Sequence, residues 1–432
     1  MRIVVVGSGA GGATAARELS GKGFEVLVLE AGKQFRPFTR QVGWVEPLRR
    51  FGILGDERNI GRLFSHMKSN RPSRDLMLIR GITSGGGTGI SCGNMARAER
   101  GLDEIDLDLS PEFHELETSL GVTTIPRDKW RPTTRRMFEE AARLNLDPIA
   151  MPKAVNVKRC VSCGLCALGC AKGAKWDAQR FISDLETKGG ILLTESPVRR
   201  LILDGGRVTG VEVACGINNL CIPADVVVLA AGGIGTAGIL GASGLTASDT
   251  LWAGVTVTLG GVKEGSHQEK EQPQVWYAKQ ENYVLSPNLD MLSNLFYAPW
   301  RSVSINARVG LAIRVADASD GSVAENGTVH KILTHGDLEK LKEGVESAKR
   351  IMASAGVRGP FIRGLASGDQ SGGTVPLTKA DVPQMRPNWL PEGLWVADLS
   401  LVPTSQDVSA DLTAAALGLR VARCIIEEFS AL

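Results

Sequence analysis

RIVVVGSGAGGATAARELSGKGFEVLVLEAG, residues 2–32, decides the fold. Residues 2–6 form a continuous apolar run rich in β-branched side chains, a glycine-rich turn and an Ala-rich segment follow, and FEVLVLE reads as a second strand. Strand, turn, helix and strand in this order make a βαβ unit. Gly7, Gly9 and Gly12 fill the G-x-G-x-x-G positions, the first for the tight turn, the second for backbone approach to a pyrophosphate, the third for close helix-to-strand contact. The helix N-terminus then faces the diphosphate. Glu30 ends the second strand, where a carboxylate accepts hydrogen bonds from ribose hydroxyls and repels a 2′-phosphate. NADP is therefore disfavoured, and FAD and NAD both remain open.

The 432 residues, 43% hydrophobic and 22% charged, suffice for two or three domains with cores of their own. Lys and Arg number 49 against 47 Asp and Glu, a net charge of +2 that provides no field for nucleic acid and no polybasic membrane anchor. Abundant glycine (51) with few aromatics (5%) suits an α/β protein with tight turns and backbone-lined ligand sites. No apolar run reaches the ~18 residues that a membrane helix needs. A strand starting at residue 2 leaves no room for a signal peptide, so the expected location is cytoplasmic. Thiols there stay reduced, and a tight cysteine cluster reads as metal-binding or catalytic rather than as a disulfide framework.

Three further segments bear on the cofactor. IRGITSGGGTGISCGNMARAE (79–99) is a second glycine-rich stretch; DVVVLAAGGIGTAGIL (225–240) is a buried strand running into a third; and GLWVADLSLVPTSQDVSADLTAAALGLRVARCIIEE (393–428) gives a strand ending in Asp398, a polar loop and a long amphipathic helix. Together with the first segment, and in this order, the set resembles the glucose-methanol-choline (GMC) oxidoreductases, whose pattern reads G-G-G-[ST]-x-x-N-G, then A-A-G-G-x-x-[ST], then V-x-D-x-S-x-x-P. The resemblance implies FAD as cofactor and an α/β fold, α+β overall, with a glutathione-reductase-like Rossmann domain and an antiparallel-sheet substrate or cap domain. It further implies that Gly7, Gly9, Gly12, Glu30, Gly86, Gly87, Thr88, Ala231, Gly232 and Asp398 touch or shape the FAD site. Val198 joins them, because TESPVRRLILDGGRVTGVEV looks like the strand pair whose backbone holds the adenine. Cys92 takes the place of the pattern's Asn and is expected beside the isoalloxazine.

The chain departs from the family where the chemistry belongs. The H-x-x-G-G-T-like segment is here ASGDQSGGTV (366–375), with Asp369 at the His position, and the second acid/base position, in VSADLT, is Ser409. Neither supplies an imidazole with a pKa near neutrality. Asp369 serves as a base if burial raises its pKa, and otherwise as a turn or helix-cap carboxylate. His66, His114, His267, His330 and His335 fall in no family motif; Thr334 or Asp337 reads as a helix cap. Residues 246–365 are expected to form the substrate domain, its alternating segments QVWYAKQENYVLS and SVSINARVGLAIRV reading as antiparallel strands. Trp276, Tyr277, Tyr283 and Trp300 are candidates either for its core or for a pocket. Residues 1–245 and 366–432 then make the FAD-binding domain, interrupted by a cysteine loop at 158–176.

That loop, CVSCGLCALGCAKGAK, spaces Cys160, Cys163, Cys166 and Cys170 as C-x2-C-x2-C-x3-C, the ferredoxin spacing, with Gly164 and Gly169 placed for a close wrap. Zinc favours paired hooks over a longer span, so a 4Fe-4S cluster is expected. Ala171 stands where ferredoxins have Pro, which leaves the fourth ligand open between Cys170 and Cys92. The GCAKGAK half is equally an echo of a metal-free loop found in GMC relatives. Cys215, Cys221 and Cys424 read as small core residues. The expected function is an FAD oxidoreductase that exchanges a hydride or electron pair with a small organic substrate and passes single electrons through the cluster to a ferredoxin-like carrier or partner subunit. The alternatives are a GMC-type alcohol dehydrogenase with a structural cysteine loop, and a non-catalytic electron relay.

Overall fold

The structure is a computed structural model that describes residues 1–39, 64–216, 218–290 and 302–430, with Pro47, Phe51 and Trp300 besides. Its first layer is a parallel sheet of five strands in the order Leu394–Val396, Val226–Leu229, Arg2–Val6, Glu25–Leu29, Ile191–Leu193. Val226–Leu229 is buried throughout, and so is Arg2–Val6 after its first residue, as expected for central parallel strands covered on both faces. The helix Ala10–Ser20 follows the glycine turn and packs against the C-terminal helix Asp411–Ser430. Their approach is backbone on backbone: a Cβ on Gly418 would lie 2.2 Å from Gly11 O, and one on Gly11 would lie 3.0 Å from Ala414 O. A meander of Val198–Asp204, Arg207–Cys215 and Asn218–Pro223 stands beside this layer.

The second layer is a sheet of nine described strands, antiparallel except where Ala366–Gly368 runs parallel to Leu76–Gly81. The expected segments supply its centre: Trp276–Lys279 and Val284–Pro287 form a hairpin, and Arg308–Val315 pairs with both Val284–Pro287 and Val255–Val262. The sheet extends outside 246–365, however, because Met67–Asn70, Leu76–Gly81, Ile149–Ala150 and Ala366–Gly368 join it. The unpaired edges of a sheet recruit whatever extended chain lies alongside. Strands from before and after the central segment therefore weld the two layers together.

Trp276 and Tyr283 are core residues. Trp276 is fully buried and meets Phe138 edge-on, and the Tyr283 hydroxyl pairs with Ser347 Oγ at 2.8 Å. Trp300 is buried under the same sheet, and Tyr277 is half-buried. The long helix His335–Ser354 begins with a capping box: Thr334 Oγ1 accepts from Asp337 N, and the Asp337 side chain accepts from Thr334 N. A fully buried pair, Lys331 and Asp317, ties this region to the C-terminal loop, since Asp317 also accepts from Ser405 Oγ at 2.7 Å. Among the described residues no helix is long and apolar enough to cross a membrane.

Candidate active site

The glycine turn opens a cleft along the carboxyl ends of the parallel strands. Gly7 has φ +103°, and a Cβ there would sit 2.3 Å from Ala230 O; a Cβ on Gly12 would sit 2.1 Å from Gly7 O. Those two positions need glycine for the turn and for its contact with the helix. A Cβ on Gly9 would meet nothing within 4 Å, because this glycine faces the open cleft. Glu30, 5% exposed, lies on the cleft wall. Its Oε2 accepts from Ser8 N and Ser8 Oγ, and its Oε1 from Gly32 N, which leaves lone pairs for ribose hydroxyls. Burial pushes its pKa above the ordinary carboxylate value, against these donors.

Opposite the turn, Asp398 is buried. Its Oδ2 accepts from Gly232 N (2.8 Å) and Thr236 Oγ1 (2.6 Å), and its Oδ1 from Ser400 N (2.8 Å). This carboxylate shapes the Ala231–Gly232 turn as well as the cleft, and burial raises its pKa. Val198, Ala231, Gly232, Gly86, Gly87 and Thr88 all line the same cleft. The turn Gly86–Ile90 is held from behind: Thr88 Oγ1 donates to Gly85 O, and Lys175 Nζ donates to Thr88 O, Gly89 O and Ser91 O at 2.6, 3.0 and 2.9 Å.

A second cavity, of about 170 Å³, adjoins the first, and the two share a wall made by Gly87, Asp369, Gln370 and Asp411. Cys92 lines this second cavity and not the cleft, and burial pushes its thiol pKa up. Asp369, half-exposed at the end of Ala366–Gly368, pairs with Arg314 Nη1 at 3.1 Å. Gln370 is the hub. Its Nε2 donates to Ser409 Oγ (3.1 Å) and Asp411 Oδ1 (2.9 Å), and its Oε1 accepts from Ala410 N (2.7 Å) and Arg314 Nη2 (3.2 Å). Gln370 and Asp411 were missed by the sequence reading. The signal for Asp411 was a carboxylate two residues beyond Ser409, in the first turn of the C-terminal helix.

The arrangement fits an extended dinucleotide: a glycine turn at a helix N-terminus, a ribose carboxylate, and a second cavity where the far end of the cofactor would meet a substrate. The family model described as GMC oxidoreductase matches residues 1–261. The chain belongs to the GMC oxidoreductase family. It is an FAD-dependent oxidoreductase with a mixed α/β fold. An uncharacterized protein of Methanocaldococcus jannaschii is 25% identical over 434 residues, covering 98% of this chain and 99% of its own. The long-chain-alcohol oxidase FAO3 of Arabidopsis thaliana is 26% identical over 411 residues, and this chain spans 52% of its length. Pyridoxine 4-oxidase from Mesorbium loti superposes with a TM-score of 0.75 at 17% identity, covering 100% of this chain and 99% of that one. Formate oxidase of Aspergillus oryzae gives 0.72 at 14% identity, covering 99% and 98%.

The cysteine loop does not come together as the ferredoxin spacing led us to expect. Among the described residues no group of three or more His, Cys, Asp or Glu side chains is placed to hold a metal ion. Cys163 is exposed, while Cys170 turns its sulfur to its own loop, accepting from Ala174 N at 3.2 Å and Lys175 N at 3.5 Å. Cys160 and Cys166 are partly exposed residues, and burial raises the Cys166 thiol pKa. Cys215 and Cys221 are exposed rather than core, because their strands lie in the solvent-facing meander. The loop's demonstrable work is mechanical, through Lys175.

Proposed function

We propose that the protein oxidises a small hydroxyl-bearing substrate bound in the second cavity, with FAD in the cleft. One observation carries this reading: cleft and cavity share the wall Gly87–Asp369–Gln370–Asp411, so a substrate and the redox end of the cofactor would be neighbours there. Relatives named as long-chain-alcohol oxidases favour an alcohol as the substrate class. FAD supplies a two-electron acceptor. Gly7, Gly9 and Gly12 would hold its diphosphate, Glu30 its ribose, Val198 its adenine, and Gly86, Gly87, Thr88, Ala231, Gly232 and Asp398 the remainder. Asp369 and Ser409 are retained as polar contacts of the cavity, both held in place by partners: Asp369 by Arg314, and Ser409 by Gln370. Cys92 belongs to the cavity floor. Eight unbridged cysteines agree with a reducing cytoplasm.

The reading is tested by reconstituting the protein with FAD and mixing it anaerobically with primary alcohols of increasing chain length. Bleaching of the flavin absorbance by at least one is the expected result; an oxidised flavin with every alcohol sinks the proposal. The electron-relay alternative, with a 4Fe-4S cluster feeding a ferredoxin-like carrier or partner subunit, rests on the C-x2-C-x2-C-x3-C spacing alone. Iron and sulfide in the anaerobically purified protein, both lost in Cys163→Ser, would revive it.

A further inference from the structure

The cavity wall contains a buried carboxylate oxygen that accepts no hydrogen bond from the described residues as they are placed. Asp411 is 7% exposed, and its Oδ2 is buried without a hydrogen-bond partner among the described residues, while its Oδ1 is held by Gln370 Nε2 at 2.9 Å. The neighbouring Ser91 hydroxyl donates to Thr88 O at 3.2 Å and lies near enough to the carboxylate to lower its pKa, so it can turn from the carbonyl to Asp411. A buried acceptor without a donor is rare and calls for a ligand that supplies one. Asp411 lines both the cleft and the cavity, at the shared wall.

We propose that Asp411 is the proton acceptor of the oxidation, standing in for the absent imidazole, with Gln370 as the positioning residue that fixes Oδ1 and leaves Oδ2 to the substrate hydroxyl. The inference rests on the function proposed above. In the step, the substrate O–H bond breaks and its proton goes to Asp411 Oδ2. The carbon-bound hydrogen leaves with its electron pair as a hydride to the FAD, the oxidant, and the C–O bond becomes C=O. The proton leaves Asp411 when product departs.

The alternatives within reach serve less well. Asp369 is engaged by Arg314 at 3.1 Å, and its side chain is 58% exposed, so its oxygens are committed to a cation and to solvent. Ser409 is neutral and needs a base of its own. The charged and titratable groups facing Asp411 are Lys175, Asp369 and Cys92, with Arg314 beyond Asp369. Burial, the largest effect, raises the pKa; the Ser91 hydroxyl, Lys175 and Gln370 favour the carboxylate, and Asp369 opposes it. A base so raised suits hydroxyl proton transfer near neutrality better than an ordinary carboxylate does. The position in the first turn of a 20-residue helix favours the charged form once the proton is gone.

Two arms test the idea, each on the FAD-loaded protein. The first needs no substrate: sulfite binds reversibly to oxidised flavins and bleaches them, and a carboxylate facing the same edge opposes this anion. Asp411→Asn should bind sulfite about tenfold more tightly than wild type at neutral pH, a single-charge effect at short range. The difference should shrink toward acid pH. Equal affinities across the pH range would overturn the proposal, whether or not any alcohol reduces the flavin. The second arm uses whichever alcohol reduces the wild type. Asp411→Asn should slow that reduction by about 10²–10⁴-fold with FAD content unchanged, and Asp411→Glu should recover part of the rate. Reduction by the Asn variant at the wild-type rate would overturn it as well. Oxidised flavin with every alcohol, alongside the expected sulfite difference, would count against the function proposed above and leave Asp411 placed at the flavin.

Discussion

Lys175→Met removes an ammonium that the turn Gly86–Ile90 relies on. Lys175 is 2% exposed, and its three donors are matched by three carbonyls, Thr88 O, Gly89 O and Ser91 O, at 2.6, 3.0 and 2.9 Å. Hydrogen bonds from a charged donor contribute about 1.5–3 kcal/mol each, while burying an ammonium costs several kcal/mol that Met does not incur. What remains decisive is that three carbonyls of one turn lose their shared buried donor. A net destabilisation of about 3 kcal/mol follows, toward the lower end of what removing one partner of a buried ionic contact costs. The thermal midpoint of the FAD-loaded protein should fall by about 3 °C. Because Gly86, Gly87 and Thr88 line the cleft, FAD affinity should fall too, by as much as about 100-fold if the whole loss appears in binding. Flavin fluorescence titration reads the second quantity. A variant with an unchanged midpoint and an FAD affinity within twofold of wild type would show that the lysine's desolvation cost cancels its bonds, and the argument would fail.

Glu271 gives a pH prediction. It is 3% exposed, accepts from Arg131 N and Thr134 Oγ1, and burial pushes its pKa up from 4.5 to about 7. A raised folded-state value means that its stabilising effect is complete below the unfolded value and is lost as pH rises through the folded one. Stability should therefore drop by roughly 3 kcal/mol between about pH 4.5 and 7, and Glu271→Gln should remove that slope from a pH series of unfolding midpoints; parallel series would refute it. Gly418→Ala inserts a methyl 2.2 Å from Gly11 O. It should cost about 1–3 kcal/mol in thermal or denaturant unfolding by forcing the two helices apart, and an unmoved midpoint would mean that the helices have room to slide.

The layer that carries the glycine turn was readable because each of its instructions is local. The buried run, the glycine turn, the helix and Glu30 lie within thirty residues, and their spacing implies their geometry. The wall of the cavity was not readable in that way. It forms where Ala366–Gly368 meets the start of the C-terminal helix, so Gln370 and Asp411 face each other only through tertiary pairing. Lys175 and Lys153 were hidden for another reason: lysine is read as a surface residue, and both are buried, Lys153 bonding Cys92 O and Asn94 Oδ1. The cysteine loop shows the opposite failure, a spacing with a strong association that forms no metal-holding group among the described residues. Cys170 bonds its own backbone, and the useful member of the segment is the lysine that closes it.

The parallel sheet also has a consequence for the order of events during synthesis. Ile3 pairs with Val226, Val227 pairs with Leu394, and Gly11 is covered by Gly418. The nascent glycine turn thus leaves the ribosome without its neighbours and waits through almost the entire length of the chain for the helix that closes over it. Contacts so distant in sequence form late and slowly. FAD held in this cleft would accordingly be captured after release, and a chain stalled before residue 411 would carry an open, apolar groove along its first helix, a ready target for a chaperone.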